Sequence, residues 1–215
     1  MFNHISIIMS SEFQSTLQDY SLWYEDGSPQ IQQFYLNRAR EGPYTAWHEN
    51  GQLWCRGFYR NGKLDGEYES WYSNGQLSQK EFHRNGIEEG EFKRWYADGQ
   101  LWTREFYRNG KQNGEYKCWD GNGNLRERKF YLDGKLEGKY MNAYDNGYRE
   151  QRFYRNDKLE GIYKTWFEDG RRQSRAFYRN GELVIAYFRV KTLLRKRVIY
   201  PLDSVLISDL AKICL

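Results

Sequence analysis

One stretch of sequence recurs along the chain and decides the fold. Residues 66–77 read Gly66-Glu67-Tyr68-Glu69-Ser70-Trp71-Tyr72-Ser73-Asn74-Gly75-Gln76-Leu77, and residues 82–86 follow with Phe82-His83-Arg84-Asn85-Gly86. The same signature precedes this stretch at 42–62 and follows it at 90–110. A fixed period of 24 residues indicates a repeat architecture, in which each repeat completes its packing against its neighbours.

Seven repeats can be aligned, followed by a partial eighth: 18–41, 42–65, 66–89, 90–113, 114–137, 138–160, 161–184 and 185–188. We therefore expect an N-terminal arm over 1–17, repeats over 18–188, and a basic segment with a C-terminal capping helix over 189–215. The repeats share a tryptophan column, which we predict to be a structural ladder: Trp23, Trp47, Trp71, Trp95, Trp119 and Trp166. The sixth repeat has Ala143 in this column and is one residue short between Gly147 and Phe153.

Each repeat is predicted to contain two strands. Asn-Gly or Asp-Gly recurs at both ends of the second strand, as at Asn74-Gly75 and Asn85-Gly86, and two-residue hairpin turns with positive φ at both positions favour these pairs. The intervening Tyr, Trp, Phe and Thr suit a pleated surface, so two strands per repeat predict about fourteen strands. The predicted fold is all-β, an elongated single-sheet meander of repeated β-hairpins with a short helical C-terminal cap.

The spacing of the aromatic columns predicts that rings occupy both sides of the sheet. Tyr68 and Trp71 are three positions apart, so they face opposite sides unless a bulge intervenes. We interpret the ladders as the packing of a single-layer sheet. A binding groove for a peptide, a glycan or stacked bases is the alternative.

Composition agrees with a folded intracellular protein. Mean hydropathy is −0.98, but aromatic residues make up 18% of the chain, which argues against disorder. The net charge of +4 is too small to indicate nucleic-acid binding by itself, and nucleic acid is not an expected partner. Three cysteines without CxxC spacing favour a reducing compartment. With no signal peptide or transmembrane segment recognised, we predict a cytoplasmic location.

Basic residues flank the second turn of most repeats, and stacked hairpins would align them along one edge of the sheet. This predicted basic edge consists of Arg60, Lys63, Arg84, Arg108, Lys111, Lys135, Arg155, Lys158 and Arg179. It could bind lipid headgroups, a polyanion or an acidic protein, or it could be a solvated edge balanced by nearby glutamates. A second basic group, Arg195, Lys196 and Arg197, is a membrane or partner segment, a nuclear address, or the exposed side of the cap.

Catalytic residue types are scarce. The chain has three histidines, and His48 and His83 occupy aromatic columns of the repeat, which favours a packing role over acid–base chemistry. Every glycine-containing turn is explained by a hairpin, and none resembles a phosphate-binding loop. We therefore expect no catalytic residues, no metal, no cofactor and no enzymatic activity.

The repeat unit resembles MORN repeats, and more closely the MORN-variant repeats of bacterial antitoxin-like proteins and of proteins from large DNA viruses. The resemblance rests on the G-x-Y-x-x-W pattern, the N-G-Q-L turn and the following F-Y-x-N-G turn, and it covers about 170 residues. It implies a β-hairpin array used for protein contacts or at membranes. The expected function is a non-enzymatic scaffold for a protein partner, with self-association left open. Two alternatives are a peripheral adaptor that binds anionic phospholipid and an antitoxin-like inhibitor.

Overall fold

The computed structural model describes residues 16–190 and 193–198, with side chains up to residue 187. The chain divides into two compact units, residues 1–87 and 88–215. No helix occurs among the described residues, which contain 22 strands. The prediction of an all-β meander of hairpins is confirmed within each unit. The predicted N-terminal arm, up to residue 15, and the predicted C-terminal helix lie outside the described residues.

The first compact unit is an antiparallel sheet of consecutive hairpins, in which each hairpin also pairs with the next one. Its strands are β1 (Gln18–Trp23), β2 (Pro29–Leu36), β3 (Ala39–Arg40), β4 (Gly42–Trp47), β5 (Leu53–Arg60), β6 (Lys63–Leu64), β7 (Gly66–Trp71) and β8 (Leu77–Arg84), followed by β9 (Ile87–Glu88) at the boundary.

The second compact unit continues the same hairpin pattern. Its strands are β10 (Gly90–Trp95), β11 (Leu101–Arg108), β12 (Lys111–Gln112), β13 (Gly114–Trp119), β14 (Leu125–Leu132), β15 (Lys135–Leu136), β16 (Gly138–Ala143), β17 (Arg149–Arg155), β18 (Lys158–Leu159), β19 (Gly161–Trp166), β20 (Arg172–Arg179), β21 (Glu182–Val190) and β22 (Leu193–Val198).

Six of the strands beyond the predicted fourteen arise because the returning strand is interrupted, and the other two are β21 and β22. After the second turn of a repeat the chain forms a two-residue strand, passes one residue, and resumes at a glycine with positive φ, as at Gly114 with φ 125°. A Cβ at Gly114 would also lie 3.1 Å from Cβ of Phe106. The glycine that opens repeats two to seven therefore permits a bend at positive φ, and at Gly114 it also permits the close approach of Phe106.

The two turns of a repeat are different, whereas the sequence predicted the same type at both. At the second turn both central residues have positive φ, as in Asn109 (51°) and Gly110 (73°), and this part of the prediction is confirmed. At the first turn only the glycine does, as at Gly51 (78°). There Gly51 N–H donates to His48 O and His48 N–H donates to Gln52 O, which is a type I turn closed by a glycine bulge.

The two sides of the sheet carry different aromatic columns, as the spacing predicted. We call the side with the paired tyrosines the Tyr face and the side with the tryptophan and phenylalanine columns the Trp face. On the Tyr face, rings from adjacent strands pack edge to face, as in Tyr44–Tyr59 with centroids 5.7 Å apart. Small buried side chains lie between these rings, including Ala46, Cys55 and Thr103. Most of the core therefore lies on the Tyr face.

Six hairpins contain a register shift just before the tryptophan, and one does not. In the second hairpin Ala46 is opposite Cys55 but Trp47 is opposite Leu53, so Trp54 is an extra, bulged residue. The sixth hairpin pairs Ala143 with Arg149 without a shift. The residue that the sixth repeat lacks is therefore the bulged residue, and the tryptophan and the bulge are missing from the same hairpin.

Candidate interaction surfaces

On the Trp face of the second compact unit, the cations of the first two hairpins are paired with glutamates. Glu91 binds Arg104 at 2.5 Å and Lys93 at 2.6 Å. One repeat later, Glu115 binds Arg128 at 2.5 Å and Lys117 at 2.7 Å. Burial by itself raises the pKa of Glu91, but the hydrogen bonds from Lys93 and Arg104 outweigh it and lower the pKa overall. The charged side chains at these positions therefore form ion-paired clusters and are not free to bind a partner's charge.

The first compact unit has the same kind of cluster around Glu69. This carboxylate is buried and binds Arg56 at 2.6 Å and Lys80 at 2.9 Å. The Arg56 guanidinium also lies 5.4 Å from the ring centroid of Trp71, within the range of a cation–π contact. The columns of Trp, cations and glutamates thus stabilise one another across adjacent strands.

Beyond Arg128 the Trp face loses its glutamates. Cross-strand pairing places Arg128, Met141, Gln151 and Lys164 in one row, continued by Arg175. Lys139 occupies the position that holds Glu91 and Glu115 in earlier repeats.

The positive charge of this region acts on Lys164. Burial lowers the pKa of its ammonium group, and nearby positive charges lower it further, in the order Arg175, Arg172 and Lys139. None of the Trp-face positions of β16, β17, β19 and β20 carries a carboxylate. This basic face, defined by Lys139, Arg149, Lys164 and Arg172, therefore carries positive charge that no carboxylate on the Trp face of these strands offsets.

A cavity of about 300 Å³ opens beside the basic face, where the tryptophan column is interrupted. Ala143 lies in it, between Met141 on the same strand and Trp166 two strands away. Leu125 borders it from the preceding hairpin. Its volume is at the lower end of the range for ligand pockets, roughly 300–1,000 Å³.

Three arginines border this cavity and differ in their partners. Arg128 is bound by Glu115, and Arg126 is bound by Asp120 at 2.5 Å and also by Asp145. Arg149 is exposed, and in the described part of the chain it forms no ion pair. Arg149 is therefore the cavity cation that can accept a new carboxylate at the lowest cost.

The predicted basic edge lies at the second turns of the repeats, at the ends of the long strands and the starts of the two-residue strands. All nine residues are exposed, and Arg60 pairs with Asp65 at 3.2 Å. The other eight form no ion pair with any described residue. Each of them lies at the second turn of its own repeat, and a single binding edge remains a proposal.

Acidic residues at the same turns have a structural role. The Oε2 atom of Glu89 accepts the backbone N–H of Asn109 at 2.9 Å. In the same way Asp65, Glu137 and Glu160 accept the backbone N–H groups of Asn85, Asn156 and Asn180. The stem of Lys111 lies about 3.8 Å from where a Cβ on Gly134 would be. Successive turns within the second compact unit are thus held side by side, and the capping carboxylates offset part of the edge's charge.

The second predicted basic group lies on the last strand. Arg195, Lys196 and Arg197 are part of β22, where their backbone pairs with 186–188 of β21. Their side chains lie outside the described residues. A role for them in membrane or partner binding remains a proposal.

A hydrogen bond between neighbouring hairpins was not anticipated from the sequence. The hydroxyl of Tyr96 donates to the carbonyl of Trp119 at 2.9 Å, and Tyr24 binds Trp47 in the same way at 2.7 Å. His48 replaces tyrosine in this column, and its Nε2 lies 3.0 Å from the carbonyl of Trp71. The position of His48 is therefore explained by this contact. The signal in the sequence is the polar aromatic residue after most tryptophans.

Other candidate chemistry is limited in the described residues. His83 Nε2 lies 3.0 Å from Glu81, and Cys55 and Cys118 are free thiols. Burial raises the pKa of Cys55. Residues 16–190 and 193–198 contain no group of three or more His, Cys, Asp or Glu side chains placed to hold a metal ion. Nor do they include a helix with the length and apolarity needed to span a bilayer.

Comparison with known families agrees with the hairpin pattern. The family model described as "MORN repeat variant" matches 40–61, 64–85, 88–109, 112–133 and 159–180, about half of the chain. No curated protein sequence matches the chain. Repeats of this family are non-catalytic and take part in protein or membrane interactions. The family match and the repeated antiparallel hairpins together identify this chain as a member of the MORN repeat variant family.

Proposed function

We propose that this protein is a non-enzymatic scaffold that binds a protein partner through the Trp face of its second compact unit. The observation that carries the proposal is the basic face, in which Lys139 replaces the glutamate of earlier repeats and Arg149 and Arg172 replace leucine. An uncompensated patch next to exposed aromatic side chains is a surface that an acidic partner can neutralise. The scaffold is proposed to be non-enzymatic because the family is non-catalytic.

Affinity capture with the full chain tests this proposal. We compare wild type with the double charge reversal Lys164→Glu, Arg172→Glu and with a matched reversal on the basic edge, Lys63→Glu, Lys111→Glu. Both variants change the net charge by the same amount. The proposal expects a saturable partner that wild type and the edge variant retain and the Trp-face variant releases. Absence of any saturable partner for the wild-type chain would contradict the scaffold function.

A second candidate function is binding to anionic membrane surfaces. The observation that favours it is the basic edge, where eight exposed cations are without ion pairs among the described residues. Clusters of this kind are attracted to anionic lipid, and the attraction is weakened by salt.

Vesicle sedimentation tests the membrane function. Neutral and anionic vesicles are compared at low and moderate salt, with the wild-type chain and with Arg195→Ser, Lys196→Ser, Arg197→Ser in the full chain. Salt-sensitive binding that the triple variant loses assigns the contact to β22. Salt-sensitive binding that the triple variant keeps and that Lys63→Glu, Lys111→Glu loses assigns the contact to the basic edge. No binding to anionic vesicles contradicts the membrane function.

A further inference from the structure

The sixth repeat departs from the pattern at four columns. Met141 stands where the other repeats have polar or charged residues: Ser21, Thr45, Glu69, Lys93, Lys117 and Lys164. Ala143 replaces the tryptophan. Gln151 replaces the cation found in most other repeats: Arg56, Lys80, Arg104, Arg128 and Arg175. The bulged residue is missing, and the segments matched by the family model do not include 134–158.

These departures meet at one place in the structure. Met141, Ala143 and Gln151 all line the cavity of about 300 Å³. Met141 is opposite Gln151, and Ala143 is opposite Arg149, in the hairpin that lacks the register shift of the other six repeats. At Ala143 and Gln151 the sixth repeat loses an indole ring and a positive charge from the same part of the Trp face.

The walls of the cavity suit an aromatic side chain. Trp166 and Leu125 supply apolar surface, and Met141 is 37% exposed. An unbranched thioether adapts to different ring shapes and makes favourable contacts with aromatic groups. Since the other repeats fill this column with tryptophan, the space left at Ala143 is suited to a ring from another molecule. Recessed sites of this kind typically hold the aromatic anchors of protein interfaces.

The surroundings of the cavity are positively charged. In the sixth and seventh repeats Arg149 and Arg172 occupy a column that holds leucine in repeats two to five, for example Leu101. Two glutamates also border the cavity, but both carboxylates are engaged by cations of the Tyr face: Glu127 by Lys129 at 3.3 Å and Glu150 by Arg152 at 2.7 Å. The cavity mouth therefore favours carboxylates next to the inserted ring.

We infer that this cavity is the docking site for a partner segment in which an aromatic residue lies next to aspartate or glutamate. The ring fills the place left by the missing tryptophan, against Trp166 and Met141, and the neighbouring carboxylate pairs with Arg149. This inference rests on the proposed scaffold function and names its binding site. A protein segment is favoured over a lipid surface because the recess accepts a single inserted side chain, whereas headgroups need only exposed charge.

Peptide display on the full chain provides the test. A random peptide library is selected on wild type and counter-selected on Ala143→Trp, which puts the ladder residue back into the cavity. We expect enrichment of peptides with Trp, Tyr or Phe adjacent to Asp or Glu. The enriched peptide should bind Ala143→Trp and Arg149→Glu at least about thirtyfold more weakly, the loss typical of a hot-spot residue.

Two further variants separate the site from general effects. Met141→Lys restores the residue type of the repeat without filling the recess, and it should also weaken the peptide. Lys63→Glu on the basic edge should bind like wild type. Unfolding midpoints are measured for every variant. If Ala143→Trp is poorly folded, Arg149→Glu and Met141→Lys carry the test.

Any of four results would overturn this inference. One is equal binding of the selected peptides to wild type and Ala143→Trp. Another is self-association of wild type that Ala143→Trp abolishes without peptide enrichment, which would make a second copy the occupant. The third is binding to anionic vesicles that Arg149→Glu loses and Ala143→Trp keeps. If Ala143→Trp retains a captured protein partner, that result supports the scaffold function and contradicts the assignment of this cavity as the docking site.

Discussion

Single residues set the local geometry of the repeat, and their effects are separable. The second turn needs two consecutive residues in the left-handed region, and the chain supplies Asn or Asp followed by Gly at most of these turns. On the Tyr face only small side chains fit between the paired rings, and Ala, Cys and Thr occupy these positions. Each requirement predicts the outcome of a substitution.

Replacing Asn109 distinguishes backbone strain from side-chain contacts. Asn109 has φ 51°, a conformation that costs most L-residues about 1–2 kcal/mol. We expect Asn109→Ala to lower the free energy of unfolding by about 1 kcal/mol and Asn109→Gly to leave it nearly unchanged. Urea denaturation measures both. An equal loss for Gly and Ala would show that the Asn side chain, rather than φ, is what matters.

Burial on the Tyr face should decide the cost of removing a phenylalanine. Phe92 is 4% exposed on the Tyr face, whereas Phe153 is 36% exposed on the Trp face of the same compact unit. Phe92→Ala should lower the free energy of unfolding by about 3–5 kcal/mol. Phe153→Ala should lower it clearly less. The comparison uses guanidinium denaturation midpoints. A larger loss at Phe153 would place the main core on the Trp face instead.

At the scale of the hairpin, each first turn is held by its own carboxylate or amide. In the fifth repeat Asp120 accepts the backbone N–H groups of Asn122 at 2.9 Å and Asn124 at 2.8 Å, and Nε of Arg126 at 2.7 Å. Burial raises the pKa of Asp120, but the hydrogen bonds from Asn124, Asn122 and Arg126 outweigh it. They lower the pKa from the usual 3.8 to about 2.

This shift predicts an acid-sensitive contribution from one hairpin. Because the folded pKa is below the unfolded value, the stabilisation is fully present above about pH 4 and is lost as the pH falls towards about 2. Asp120→Asn should therefore flatten the fall in stability across that window. Urea midpoints at a series of pH values give the slope. Identical slopes for wild type and variant would show that Asp120 keeps its unfolded pKa.

At the scale of the whole molecule, each hairpin contacts its neighbours along a compact unit, so stability should be distributed by nearest-neighbour interactions. Hydrogen bonds such as that from Tyr96 to the carbonyl of Trp119 and the capped second turns link adjacent hairpins. Long-range contacts between distant hairpins of the meander are not needed to explain the sheet.

Amide hydrogen exchange tests this distribution. In Phe92→Ala, amides of β10, β11 and the adjacent β13 should lose protection first, while those of β19 and β20 should change least. The reason is that destabilisation spreads only through shared interfaces. A uniform loss of protection throughout 88–190 would show instead that the second compact unit unfolds as one cooperative body.

The sequence by itself determined the repeat, the hairpins and the second turns, because these depend on interactions within a few residues. Asn109-Gly110 specifies a two-residue turn locally, and the 24-residue period shows that the same hairpin recurs along the chain. The sequence also revealed that Ala143 interrupts the tryptophan column. It did not distinguish the first turn from the second, since both contain Asn-Gly or Asp-Gly.

The tertiary structure decided what depends on cross-strand register. Pairing across strands shows which residue is bulged, which cations meet a glutamate, and that the changes at Met141, Ala143 and Gln151 share one cavity. The missing residue removes the bulge and leaves the other pairs of the sixth hairpin in the usual register, with Met141 opposite Gln151 as Lys117 is opposite Arg128. The basic face and its cavity therefore emerge only when neighbouring hairpins are brought together.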